Sequence, residues 1–179
     1  MKKKIIITLA VIALIAMAAL VFEMKNKPAK VLLETNHGDI TIQMYDDMPI
    51  TTGNFVKLVK SGFYDGLDFH RVIDGFMIQG GDPNGDGTGG PGYTIMDEFT
   101  HKGGNKDLRG TIAMANAGPN TGGSQFFINL ADNDFLDEKH PAFGMVVSGM
   151  GVVDEIGKAP TGINDRPVSE AKIIRAKVV

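Results

Sequence analysis

Eight short runs of strand-forming residues, separated by glycine-rich turns, constrain this chain of 179 residues more than any other feature. The first two, VLLET at 31–35 and DITIQMY at 39–45, flank a turn at Asn36-His37-Gly38. Ile40, Ile42 and Met44 alternate with Thr41 and Gln43, a period of two that predicts a β-hairpin with one buried face. The other runs are DFHRVI at 68–73, GFMIQG at 75–80, GTIAMAN at 110–116, SQFFINL at 124–130, AFGMVV at 142–147 and AKIIRAKVV at 171–179. Only two stretches change to helical spacing. In 49–61 Pro49 sits at a first turn, Phe55, Leu58 and Val59 share a side, and Gly62 closes the helix; the second stretch is GMGVVDEIGK at 149–158. Many strands with two short helices predict an all-β closed sheet and not βαβ units.

Ahead of this body, residues 5–22 are apolar apart from Thr8, behind Lys2, Lys3 and Lys4. A helix of that length approaches the ~30 Å of a bilayer core. The run reads either as a cleavable signal ending near Ala16-Met17-Ala18 or as an uncleaved anchor, and the unbroken stretch 9–22 favours the anchor. Both readings export the body, and the leading lysines orient it outward. The expected organisation is therefore a signal peptide or membrane anchor over 1–23, a linker over 24–29 and one domain over 30–179. With no cysteine, a disulfide scaffold, a thiol nucleophile and a cysteine-ligated metal are excluded. The net charge of −3 argues against nucleic acid as a partner.

Two motifs in the loop at 80–92 are misleading. Gly85 to Gly90 matches GxGxxG, but Pro91 and Gly92 follow where a dinucleotide site needs a helix. Asp82, Asn84 and Asp86 start an EF-hand loop, yet Tyr93 occupies the position of the bidentate glutamate. The four histidines lack metal-ligand spacing, and Ser124 leads into a strand where a nucleophile elbow needs a helix. What remains is a pair of segments. With a turn at Asp74-Gly75, alternation lets Arg71 share a face with Met77 or Gln79, and on the run after Ser124 it puts Gln125 and Phe127 together. Phe76, Met77 and Phe127 then form an apolar floor with Arg71 and Gln79 at its rim.

The strings FHRVIDGFMIQGGD (69–82), GTIAMANAGPNTGGSQFFI (110–128) and FLDEKHPAFGMVV (135–147) closely resemble the cyclophilin family of peptidyl-prolyl cis/trans isomerases, over about residues 30 to 178. The resemblance implies an eight-stranded antiparallel closed β-barrel capped by two short helices. It also implies an active face of Arg71, Phe76, Met77, Gln79, Ala115, Asn116, Gln125, Phe127, Phe135, Leu136 and His140, with Ala117 on the same loop. One departure is Phe135, where the family often has tryptophan, so the indole hydrogen bond to cyclosporin-type ligands cannot form.

These residue types suit the chemistry. Rotation about an X-Pro amide faces ~18 to 20 kcal/mol because the nitrogen lone pair is delocalised, and no bond must break. A guanidinium aimed at the twisted amide stabilises it selectively, which makes Arg71 the catalytic candidate. Phe76, Met77, Phe127 and Leu136 would seat the proline ring, Asn116 would hydrogen-bond the peptide backbone, and Gln79 would orient the arginine or the carbonyl. Neither a metal nor an organic cofactor is required. The expected partners are proline-containing peptides and unfolded protein clients, the membrane through the N-terminal segment, and no second copy of the chain. Taken singly, Phe76, Met77 and Phe127 read as barrel core, Arg71 as a surface charge and His140 as packing; their joint occurrence selects the isomerase reading. The rivals are a non-catalytic proline-peptide module on the same barrel, and a small-ligand barrel, which would need a lumen that bulky inward residues deny.

Overall fold

The computed structural model describes Met17 and residues 28–179; the rest of the leader and linker, including the apolar run, lies outside the described residues. In chain order the body forms β1 (Lys30–Thr35), β2 (Gly38–Met44), α1 (Pro49–Lys60), β3 (Arg71–Ile73), β4 (Met77–Gly80), β5 (Thr111–Met114), β6 (Phe126–Asn129), β7 (Ala142–Ser148), α2 (Met150–Gly157) and β8 (Ile173–Val178). Two 3-10 turns, Asp134–Leu136 and Ile163–Asp165, precede β7 and β8. All eight strands and both short helices expected of the body are found, and all strand pairs are antiparallel.

The sheet runs β3-β4-β6-β5-β7-β2-β1-β8 and curls into a half-barrel. The expected closure needs correction, because the ladder stops at β3 and β8. Between them lies a seam: Gly66 N–H donates to Ile173 O, Phe69 N–H to Ala171 O and Ile173 N–H to Leu67 O, each at 2.8 Å, around a single bridge from Asp68 to Lys172. The first half of DFHRVI thus leaves β4 to pair with the chain entering β8, which is why β3 has only three residues.

Alternation sorts side chains to the two faces of the sheet. Val31, Leu33, Ile40, Ile42, Val72, Ile78, Ile112, Phe126 and Ile128 point inward and are buried. Helix α1 plugs this interior with Phe55, whose ring centroid lies 5.0 Å from Tyr64, 5.4 Å from Phe126 and 5.3 Å from Phe143. Each such side chain stabilises the fold by about 1.5 to 3 kcal/mol. Helix α2 adds Val153 and Ile156 from the other side. The inside is filled with side chains, so the small-ligand reading has no lumen to use.

Candidate active site

The outward residues of β3, β4, β6 and β5 line up across the sheet. Arg71 stands opposite Gln79, Gln79 opposite Phe127, and Phe127 opposite Ala113. In the next row Ile73 faces Met77, which faces Asn129. The tight turn that fixes this register needs Gly75, whose φ of 68° is open to glycine at no steric cost. Met77, Ala113, Phe127, Leu136 and Ala142 form a second apolar cluster, distinct from the barrel core, with Ile73, Phe76 and Ala115 packed against it. Phe76, Met77 and Phe127 are therefore not barrel core. Leu136 arrives from the first 3-10 turn. Its neighbour Phe135 is 63% exposed and stacks on Phe76 with ring centroids 5.9 Å apart, making an aromatic lip.

Polar groups frame this pocket. His140 packs edge-on to Phe127 at 5.4 Å, and its Nδ1 lies 3.0 Å from Met114 O. A carbonyl only accepts, so Nδ1 carries the proton and Nε2 is left to face solvent or ligand. Gln79 Nε2 donates to Gln125 Oε1 at 2.9 Å, and Gln125 Nε2 donates to Gly87 O and Gly89 O at 3.0 and 2.9 Å. Asn116 spends its side chain on Lys139 O and Gly118 N–H. Its backbone N–H and C=O have no intramolecular partner among the described residues. Ala117 is exposed on the loop beyond and is not part of the apolar cluster. A cleft of about 690 Å³ adjoins the pocket, lined by Gln79, Ala115, Asn116, Ala117, Gln125 and the glycine-rich loop.

Arg71 differs from expectation in its partner. Gln79 has turned to Gln125, and Arg71 Nε donates instead to Asp165 Oδ2 at 3.3 Å. Asp165 lies 94 residues away in the second 3-10 turn, and no periodicity in the sequence pointed to it. A second group missed by sequence reasoning underpins the pocket. Asn133 Nδ2 donates to Phe76 O at 3.1 Å and to Asn129 Oδ1 at 2.7 Å, while Asn129 Nδ2 donates to Asp107 Oδ1 and Thr111 Oγ1. Burial, opposed by the Asn129 hydrogen bond, pushes the Asp107 carboxyl up to about 7. The polar Asn129 on the outward face of an apolar run was the only available signal.

The remaining candidates are structural. Asp82 accepts the N–H groups of Asn84, Asp86 and Gly87, so its carboxylate organises the glycine-rich loop from within. Among the described residues no cluster of acidic and histidine side chains is arranged to hold a metal ion. His37 pairs with Glu155 and His101 with Asp47. His70 is buried without a hydrogen-bond partner, and that burial lowers its pKa. Ser124 Oγ donates to Gly81 O.

A curled antiparallel sheet that fills its inner face and carries an apolar pocket with a rim arginine on its outer face is the architecture of a prolyl isomerase of the cyclophilin type. Residues 30–178 match the family model described as "Cyclophilin type peptidyl-prolyl cis-trans isomerase/CLD", and the chain belongs to that family. It is 47% identical over 157 residues to peptidyl-prolyl cis-trans isomerase-like 1 of Gibberella zeae, covering 83% of this chain and 94% of the relative. It is 46% identical over 158 residues to the protein of that name from Homo sapiens, covering 84% and 92%. A cyclophilin type isomerase of Cryptosporidium parvum, crystallised in the presence of the dipeptide Ala-Pro, superposes with a TM-score of 0.79 at 34% identity, covering 84% of this chain and 98% of the other. The chain is a peptidyl-prolyl cis-trans isomerase.

The comparisons overturn the expected location. The two relatives named above are isomerase-like 1 proteins, a type not known as secreted or membrane-anchored. The extracytoplasmic placement, whether secreted or anchored to the cell membrane, is therefore withdrawn.

Proposed function

We propose that this isomerase assists protein folding by turning X-Pro bonds of unfolded clients on the outer face of β3, β4, β6 and β5. The proline ring sits on Phe76, Met77, Phe127 and Leu136, and Arg71 supplies the charge that favours the twisted amide. One observation carries this reading. Arg71 shares an outward row with Phe127 two strands away, roughly 10 Å between backbones, which is within reach of an arginine side chain. A guanidinium beside the ring can donate to the amide nitrogen as its lone pair localises, an interaction absent from the planar ground state.

The rest of the face holds the peptide. The free backbone N–H and C=O of Asn116 suit the strand-like pairing of an extended client, and His140 Nε2 and Gln79 Oε1 remain open to it. The adjoining cleft, with Ala115, Ala117 and Gln125 in its walls, takes a side chain flanking the proline. Phe135 extends the apolar surface past the ring. The proposal takes a monomer as the working unit. The test is refolding of a protein limited by proline isomerisation, followed alongside cis-to-trans exchange of a proline tetrapeptide. Catalytic amounts of this chain should accelerate both. Acceleration of the tetrapeptide alone would remove folding clients from the proposal.

A further inference from the structure

The strap between α2 and β8 is the last segment of chain to reach the site. Thr161 bridges Pro167, Gly162 N–H donates to Arg166 O and Val168 N–H to Pro160 O, both at 2.8 Å, so residues 160–168 close into a loop with the second 3-10 turn at its tip. Arg166 pins this loop on two sides, donating to Gly85 O at 2.7 Å and lying 3.6 Å from Asp68 Oδ2. One residue earlier, Asp165 receives the Nε–H of Arg71. We propose that Asp165 is a positioning residue for Arg71, holding the guanidinium by its Nε edge so that both Nη groups face the pocket where the X-Pro amide twists. This rests on the catalytic role proposed for Arg71.

The geometry of the fork carries the argument. A guanidinium presents five N–H donors in one plane, so an acceptor on Nε fixes that plane and leaves the four Nη hydrogens free. No other hydrogen-bond partner holds the Arg71 side chain among the described residues, since Gln79 is engaged by Gln125. The Arg71 and Asp165 side chains are 42% and 45% exposed, and an ion pair that open contributes little to stability. Its consequence belongs to turnover. Asn164 and Asp165 both adopt φ near 58°, a left-handed conformation that asparagine and aspartate tolerate, so the loop accepts Asn at position 165 without rebuilding.

The test compares Asp165→Ala, Asp165→Asn, Arg71→Ala and the double variant Arg71→Ala/Asp165→Ala in the full chain, measuring kcat and KM for a proline tetrapeptide together with Tm. Asp165→Ala should lower kcat roughly 3- to 10-fold with KM and Tm unchanged, because orientation is lost while the pocket stays intact. Asp165→Asn, which keeps an acceptor oxygen, should restore at least about half of the wild-type kcat. In the Arg71→Ala background Asp165→Ala should have no further effect. Wild-type kcat in Asp165→Ala, an equal loss in the Asn variant, the same loss without Arg71, or a parallel fall in Tm would each overturn the positioning role. Wild-type turnover in Arg71→Ala would overturn the arginine's own role, an outcome distinct from failure at Asp165 alone.

Discussion

Phe126 and Phe127 are chain neighbours with opposite duties. Phe126 is fully buried in the barrel against Phe55, Tyr64 and Phe69, whereas Phe127 is 5% exposed among Met77, Ala113 and Leu136 on the other face. Truncation separates the two. Phe126→Ala should cost about 3 to 5 kcal/mol of stability, read as a lowered denaturant midpoint. Phe127→Ala should weaken peptide binding and lower turnover together, read by calorimetric titration and by the isomerase assay. Similar peptide affinity in Phe127→Ala and wild type would remove this residue from the pocket. The strict alternation in SQFFINL shows that the two rings diverge, but which faces the barrel depends on pairing with β4 and β5. That is why each phenylalanine, taken alone, reads as core.

Elements carry the site through contacts that leave little trace in local patterns. Strands β3 to β6 were legible because each apolar run is bounded by glycine or a polar turn. The seam was not, because Asp68 and Phe69 pair with chain approximately a hundred residues later and leave no periodic signal. Asp165 escaped for the same reason, being a loop residue whose partner is defined only by tertiary approach. The turn-to-strand support beneath Phe76 depends on Asp107, Asn129 and Asn133, and it has a pH consequence. The Asp107 pKa of about 7 in the folded state lies above its ordinary value near 3.8. The folded state therefore holds the proton more tightly than the unfolded one, and this contribution to stability is complete below about pH 4 and lost as pH rises through about 7. Asp107→Asn should flatten the dependence of the urea midpoint on pH between 4 and 8. An unchanged slope in that variant would assign the titration to another group. In the glycine-rich loop, Asp82 is consumed by three backbone N–H groups, so a chelator should leave isomerase activity unaltered; loss with chelator and recovery with calcium would revive a cation role for the loop.

At the scale of the molecule, one curled sheet separates a filled core from the proposed site. Its inner face and two helices form a filled core, and its outer face between β3 and β5 bears a separate apolar cluster rimmed by Arg71, Gln79, Gln125 and His140. Because the two clusters are separate and lie on opposite faces, a polar change on the outer face should alter turnover without disturbing the core. Arg71 is the sharpest case: its side chain is 42% exposed, and in the proposed mechanism its charge acts only while the amide is twisted. The most direct test of the account measures kcat of Arg71→Ala for a proline tetrapeptide beside its calorimetric affinity for the same peptide. Loss of one preorganised donor should cost about 3 kcal/mol, a fall of ~10²-fold in kcat, with affinity and Tm near wild type. Near-normal turnover in Arg71→Ala, or a joint collapse of affinity and Tm, would contradict the claim that this arginine drives the rotation.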